Sequence, residues 1–213
     1  MRSLSSYLKQ KPLVAILRGI QPKEVIDIAN VLVDSGFSII EVPLNSPAPL
    51  KSITLLANKF DEKILIGAGT VLQKADVKDV KSAGARLMVT PHANSDVIAS
   101  AKDLELICIP GFATPTEAFS MINLGVDALK LFPAESARPE VLKSINAVLP
   151  RSIPILPVGG ITPDKMRSYI IAGASGFGLG SALYKAGTSA KDVFEKAKKF
   201  NVAIEQLRLE FNF

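Results

Sequence analysis

Two charged residues stand where apolar ones belong. Lys130 interrupts the run Asp127-Ala128-Leu129-Lys130-Leu131-Phe132-Pro133, and Glu41 interrupts Ser38-Ile39-Ile40-Glu41-Val42. Ionised side chains are almost never fully buried without a partner, because lost hydration is costly. Pro133 cannot donate to a sheet ladder, so the strand ends near it. Lys130 then lies close to the strand's C-terminal end, on the face it shares with Ala128 and Phe132. Burial drives an amine toward its neutral, nucleophilic form. The bland alternative is an edge-strand lysine whose stem covers apolar surface while its head reaches water. A carboxylate such as Glu41 near that amine could carry protons during carbon chemistry. It could equally be a structural partner for Arg18 or Lys130.

Other candidates sit at the ends of apolar runs. Arg18 follows five apolar residues and precedes Gly19, and its planar fork suits a carboxylate. The competing role is a salt bridge across the top of the fold. Gly67-Ala68-Gly69-Thr70 would let backbone approach a ligand and offers a hydroxyl; Pro91 and Phe132 end two further runs. Val158-Gly159-Gly160 and Gly178-Leu179-Gly180-Ser181 free backbone N–H groups that can cradle a phosphate, unless these glycines serve only tight turns. A phosphate cradle, a carboxylate-binding arginine, a buried lysine and a lone glutamate point to Schiff-base chemistry on a phosphorylated oxo-acid. That chemistry needs no metal and no cofactor.

These residues need a scaffold that gathers strand ends. A short helix is expected over roughly Ser3 to Gln10. Apolar runs follow at Leu13–Leu17, Ser38–Val42, Ile64–Ala68, Leu87–Thr90, Leu106–Ile109, the Lys130 segment, Ile155–Val158 and Gly176–Leu179. Continuous apolar runs mark strands buried on both faces. Between them, Pro22, Pro47, Pro115, Pro139 and Pro163 are expected to open helices. Thr114-Pro115-Thr116-Glu117 reads as a capping box. Gly36, Gly84, Gly125 and Gly173 fall where helices end, each just before an apolar run, in a weak internal repeat. Eight βα units in 213 residues predict one domain, a (β/α)8 TIM barrel of the α/β class spanning 1–213. An open doubly wound sheet is the alternative, and the missing dinucleotide fingerprint argues against it. In the barrel, strand C-terminal ends converge on one site.

Composition narrows the rest. A hydrophobic share of 48% with 21% charged residues is ordinary for a globular enzyme. The net charge of +5 suits an anionic small substrate. The lysines from Lys185 to Lys199 read as the wet face of a last helix, and without aromatic interleaving no nucleic-acid partner is expected. A single cysteine, Cys108, and a single histidine, His92, exclude a disulfide framework and a Cys- or multi-His metal site. Cys108 reads as a buried, inert thiol and His92 as a loop or site-rim residue. With no signal-peptide core and no apolar run of about eighteen residues, no membrane partner and a cytoplasmic location are expected.

Taken in order, Leu17-Arg18-Gly19, Glu41-Val42-Pro43-Leu44, Gly67-Ala68-Gly69-Thr70-Val71, Val89-Thr90-Pro91, Pro110-Gly111, Lys130-Leu131-Phe132-Pro133 and Val158-Gly159-Gly160 resemble one family. It is that of the class I aldolases acting on 2-keto-3-deoxy-6-phosphogluconate or its galactonate epimer, and the likeness runs from about Leu13 to Ala186. The resemblance implies pyruvate and D-glyceraldehyde 3-phosphate, joined or parted through an imine on Lys130, with Glu41 shuttling protons. It implies that Arg18 and Thr70 hold the pyruvate-end carboxylate, that Pro91 and Phe132 shape that pocket, and that Gly159, Gly160, Gly180 and Ser181 bind the phosphate. It also implies a homotrimer.

Two positions bear on the epimer. The gluconate branch tends to carry threonine before the Gly-Gly pair, where this chain has Val158; Asn45-Ser46-Pro47 also resembles the galactonate branch. Phe132-Pro133-Ala134-Glu135 resembles the gluconate branch instead. Since a missing hydroxyl removes a hydrogen bond to one C4 epimer, the balance favours galactonate, with the gluconate substrate or dual use as the alternative. Outside the family, a non-covalent phosphosugar isomerase or epimerase, a pyridoxal-phosphate protein on Lys130, and a non-catalytic phosphate-binding barrel compete. The first needs a base pair or metal set, the second would be yellow, and the third gives three charges in apolar surroundings nothing to do.

Overall fold

A computed structural model describes residues 2–211. Helix α1 (Leu4–Gln10) leads into strand β1 (Leu13–Ile16), and strands then alternate with helices. In order they are α2 (Val25–Asp34), β2 (Ile39–Pro43), α3 (Pro49–Lys59), β3 (Leu65–Gly69), α4 (Lys74–Ser82), β4 (Leu87–Val89) and α5 (Ser95–Asp103). Next come β5 (Ile107–Ile109), β6 (Gly111–Phe112), α6 (Pro115–Ile122), β7 (Leu129–Leu131), α7 (Pro139–Asn146), β8 (Ile155–Pro157), α8 (Pro163–Ile171), β9 (Phe177–Leu179) and α9 (Ala190–Phe211).

The strands are parallel and curl. Six lie in the order β5-β4-β3-β2-β1-β9, and three more lie in the order β6-β7-β8. The eight-run expectation needs correcting after the fifth run: β5 ends at Ile109, and past Pro110 comes a further short strand, β6, that no expected run contained. Proline has no N–H for the ladder. At the next residue, Gly111, a Cβ would fall 2.4 Å from the Pro91 carbonyl carbon. The break therefore marks a tight approach of the β4 end. Across it the β7 segment keeps bonding: Asp127, Lys130 and Phe132 N–H donate to the carbonyls of Cys108, Pro110 and Phe112. At the other margin, Val158 and Gly178 form an isolated parallel bridge.

Every strand residue is buried, as unbroken apolar runs require. Leu13, Ala15, Ile40, Val42, Ile66, Met88, Leu129 and Phe177 face outward into the core shared with the helices. On the concave face, Val14, Ile39, Leu65, Leu87, Ile107, Ala128 and Leu156 pack with Leu4, Tyr7 and Leu8 of α1. Helix α1 thus plugs the end where the strands begin. The Tyr7 hydroxyl donates to the Glu62 carbonyl at 2.5 Å.

Helix punctuation follows the sequence with two exceptions. Pro115, Pro139 and Pro163 open α6, α7 and α8, and the Thr114–Glu117 capping box is formed. Pro22 instead sits inside a turn closed by Glu24 N–H donating to the Gln21 carbonyl, and α2 begins at Val25. Pro47 lies in the loop, and Pro49 opens α3. A residue before proline is forced out of the right-handed α region, and Ala48 sits at φ 41°. The helix cannot start earlier. Gly36, Gly84, Gly125 and Gly173 all carry positive φ at helix ends, as expected.

Candidate active site

The concave face changes character one step up β2, β3 and β7 from the α1 plug, while β4 and β5 continue with the apolar Val89 and Ile109. Register places Ile16 beside Glu41 and Glu41 beside Gly67, and on the other sheet Gly111 beside Lys130 and Lys130 beside Leu156. Lys130 is 4% exposed and Glu41 2%. Strand β7 is flanked by β6 and β8, so Lys130 is not on an edge strand. The Lys130 Nζ lies 4.7 Å from the centroid of the half-buried Phe132 ring.

Room for Glu41 comes from Gly69. A Cβ there would fall 1.4 Å from Glu41 Oε2, and one at Gly67 would clash with Leu87. This corrects the expectation that the Gly67–Gly69 segment frees backbone for a ligand: the clearance is taken by side chains of neighbouring strands. Glu41 Oε2 is buried without a hydrogen-bond partner among the described residues. Burial pushes the Glu41 carboxyl above the ordinary range, against the pull of the Lys130 and Arg18 charges. Burial likewise holds the Lys130 amine below its ordinary range, opposed by Glu41 and reinforced by Arg18. The two groups form no direct ion pair among the described residues. Buried ionisable groups with shifted proton affinity beside a cavity mark a candidate functional site.

Two cavities that share Ile16, Lys130 and Val158 in their linings hold most of the expected residues. A narrow one, about 10 Å³, is lined by Ile16, Glu41, Lys130, Val158 and Gly178, room for about one water. The other is a cleft of about 330 Å³ that brings together Arg18, Lys130, Phe132, Val158, Gly159, Gly160, Gly180 and Ser181. Gly159 and Gly160 adopt φ of 115° and 59°, which an L side chain would resist. Thr70 joins through Arg18, whose Nη1 donates to Thr70 Oγ1 at 3.4 Å. Thr70 holds a left-handed conformation, φ 54°, a strained state for a β-branched residue. Pro91 lines neither cavity. It packs on Gly111, while Thr90 Oγ1 donates to the His92 carbonyl at 2.6 Å. His92 is half-buried in the loop after β4, as expected.

The salt bridge offered as an alternative for Arg18 is not formed among the described residues. Arg18 Nη1 donates to Asn45 Oδ1 at 2.6 Å instead. Sequence alone gives Asn45 no contact, because the bond joins loops after two different strands. Three further residues, Glu135, Tyr184 and Lys185, line the cleft without having been expected there; Lys185 lies before α9, which begins at Ala190, and this corrects its reading as part of the wet face of the last helix. Glu135 packs against the glycine turn, where a Cβ on Gly159 would fall 2.0 Å from its Oε2. Among the described residues, no group of three or more His, Cys, Asp or Glu is placed to hold a metal ion. Cys108 is buried, with its thiol pushed up to about 12. None of the helices among the described residues is long and apolar enough to cross a membrane.

Residues 4–200 match the model of the KDPG and KHG aldolase family. The chain belongs to that family. It is accordingly an aldolase, a carbon–carbon lyase. It is 43% identical over 189 residues to the 2-dehydro-3-deoxy-6-phosphogalactonate aldolase of Escherichia coli K12, covering 89% of this chain and 92% of that one. A solved native KDPGal structure superposes with a TM-score of 0.90 at 42% identity, covering 92% of this aldolase and 95% of that chain. A more distant relative, the KDPG aldolase of Legionella pneumophila, was solved with pyruvate captured at low pH as a covalent carbinolamine. It is 26% identical with a TM-score of 0.79, covering 93% and 94% of the two chains.

Proposed function

We propose that this aldolase works through an imine on Lys130 and reversibly cleaves 2-dehydro-3-deoxy-6-phosphogalactonate to pyruvate and D-glyceraldehyde 3-phosphate. The observation that carries the reading is the Lys130 amine: buried on a central strand, kept toward its neutral form, and open to a cleft rimmed by two glycine loops. A neutral amine can attack the substrate's C2 ketone to give a carbinolamine. Glu41 then protonates the departing hydroxyl, and water leaves as the imine forms. The protonated imine acts as an electron sink. Glu41 takes the C4 hydroxyl proton, the C3–C4 bond breaks, and the aldehyde departs from the enamine. Protonation at C3 and hydrolysis release pyruvate and restore Lys130. Glu41's raised affinity for a proton suits a group that must both give and take one.

Arg18 and Thr70 hold the C1 carboxylate, beside the Phe132 ring. Pro91 shapes that pocket through its packing on Gly111. The turns at Gly159–Gly160 and Gly180–Ser181 receive the phosphate, with Lys185 at the rim as a countercharge. The galactonate epimer is supported by Val158 and by the 43% identity to a relative named for that substrate.

The two sheets are then one interrupted (β/α)8 barrel, and residues 1–213 one domain, β5 and β6 forming a single strand broken at Pro110. The continued bonding to β7 and the Val158–Gly178 bridge support this closure. The family resemblance supports a homotrimer, which sedimentation velocity tests. The buried thiol of the chain's single cysteine supports a reducing, cytoplasmic setting.

Borohydride reduction in the presence of pyruvate tests the chemistry. Mass analysis is expected to find pyruvate fixed to the peptide containing Lys130, and none fixed to Lys130→Met. Trapping on the mutant would assign the nucleophile elsewhere.

A further inference from the structure

The Leu17-Arg18-Gly19 turn and the Pro43–Ser46 turn are joined twice. Gly19 N–H donates to Ser46 Oγ at 2.9 Å, and Arg18 Nη1 donates to Asn45 Oδ1 at 2.6 Å. Ser46 N–H donates to the Pro43 carbonyl at 3.0 Å, which closes the turn and fixes where Asn45 stands. A guanidinium carries only donors, so the carboxamide oxygen must face it. The other acceptor on Arg18, Thr70 Oγ1, is also neutral.

We infer that Asn45 is a positioning residue, whose neutral carboxamide holds the Arg18 guanidinium at the rim while leaving its charge for the carboxylate of the substrate. The inference rests on the proposed role of Arg18. A carboxylate at position 45 would hold Arg18 as firmly, but it would satisfy the fork from within the protein. A substrate carboxylate would then have to displace it. The choice of amide over acid is therefore part of how the site selects an anionic ketone.

The consequence is an unusual ranking of two variants. Asn45→Ala removes an anchor but leaves Arg18 charged and free. Asn45→Asp keeps an anchor and adds a competitor. Both residues are exposed, so solvent moderates the competition. The pyruvate concentration giving half-maximal borohydride trapping is expected to rise roughly 2- to 5-fold in Asn45→Ala and roughly 5- to 30-fold in Asn45→Asp. Acetone, a ketone without a carboxylate, should be trapped by both variants at the wild-type rate.

A structural role for Asn45 would give a different pattern, with Asn45→Asp the milder change and acetone trapping impaired alongside pyruvate. Either result overturns the inference. So would unchanged half-saturation in a wild type and variants that all trap pyruvate, which leaves the imine chemistry standing. A wild type that traps no pyruvate on Lys130 would remove the imine reading and this inference together.

Discussion

The two ends of the curled sheet use the same strands for opposite purposes. At the α1 end the concave face offers Val14, Ile39, Leu65, Ala128 and Leu156, sealed by Leu4, Tyr7 and Leu8. Two residues further along the same strands stand Ile16, Glu41, Gly67, Lys130 and Val158. The first set is ordinary close-packed core, each large side chain contributing about 1.5–3 kcal/mol by leaving water. The second set buries two ionisable groups at a cost and opens a cavity. On β2 and β7 close apolar packing at one end is set against an ionisable group at the other, a group that folding alone would reject.

Lys130→Met gives the largest effect and separates the two ends most clearly. Aldol cleavage should vanish, because no other amine is buried in the cleft among the described residues. Stability should rise. The lysine's folded affinity for protons is lowered, so its contribution is present above the unfolded value of 10.5 and lost as pH falls through the folded one. At neutral pH it costs stability. Removing it should raise Tm by roughly 2–4 °C for about 1 kcal/mol. That gain should shrink as pH approaches 10.5. A lower Tm at pH 7 would place Lys130 with the stabilising residues.

Glu41→Gln comes next. Pyruvate should still be trapped, but exchange of its methyl protons, followed by NMR in heavy water, should slow by roughly 10²- to 10⁴-fold. Glu41's folded affinity for protons is raised, so its stabilising contribution is present below 4.5 and lost as pH rises through the folded value. The variant should therefore lose less stability than the wild type between acid and neutral pH. Wild-type exchange rates would remove the proton-transfer role.

Tyr7→Ala tests the opposite end. The ring is fully buried in the plug and its hydroxyl is bonded, so about 3–5 kcal/mol should be lost in urea unfolding. Cleavage per folded molecule should stay near wild type. A fall in kcat without loss of stability would contradict the division between the two ends.

Sequence made the chemical end easier to read than its supports. Lys130 and Glu41 announce themselves because a charge inside an apolar run costs stability and is rarely kept without a use. The capping box at Thr114 and the glycines at helix ends are local devices, fixed by neighbours in the chain, and they form as read. What escaped depends on register between strands. Gly69 is glycine because Glu41 of β2 needs its space, and only the pairing of β2 with β3 reveals that. Asn45 meets Arg18, and Lys185 and Glu135 reach the cleft, through loops far apart in sequence. The break at Pro110 was visible as a residue, but its cause, the approach of Pro91 to Gly111, was not.

The smallest predicted effect lies where the two ends meet. Val158 is 8% exposed and lines both cavities, with its Cγ2 in the space that a Cβ on Gly178 would need. It directly precedes the Gly159–Gly160 turn, so it should stand beside the C4 substituent when the phosphate rests on that turn. Threonine has nearly the shape of valine, so Val158→Thr should leave the sheet and phosphate binding intact. Its hydroxyl can bond whichever C4 epimer presents oxygen there, gaining about 0.5–1.5 kcal/mol, and stays less well satisfied with the other. The kcat/KM ratio should shift toward the gluconate epimer by about 3- to 10-fold. Initial cleavage rates on each pure epimer, with glyceraldehyde 3-phosphate release coupled to a dye, measure it. An unchanged ratio would mean that Val158 does not touch the C4 substituent. The galactonate assignment would then rest on overall identity to its relatives, without a side chain to account for it.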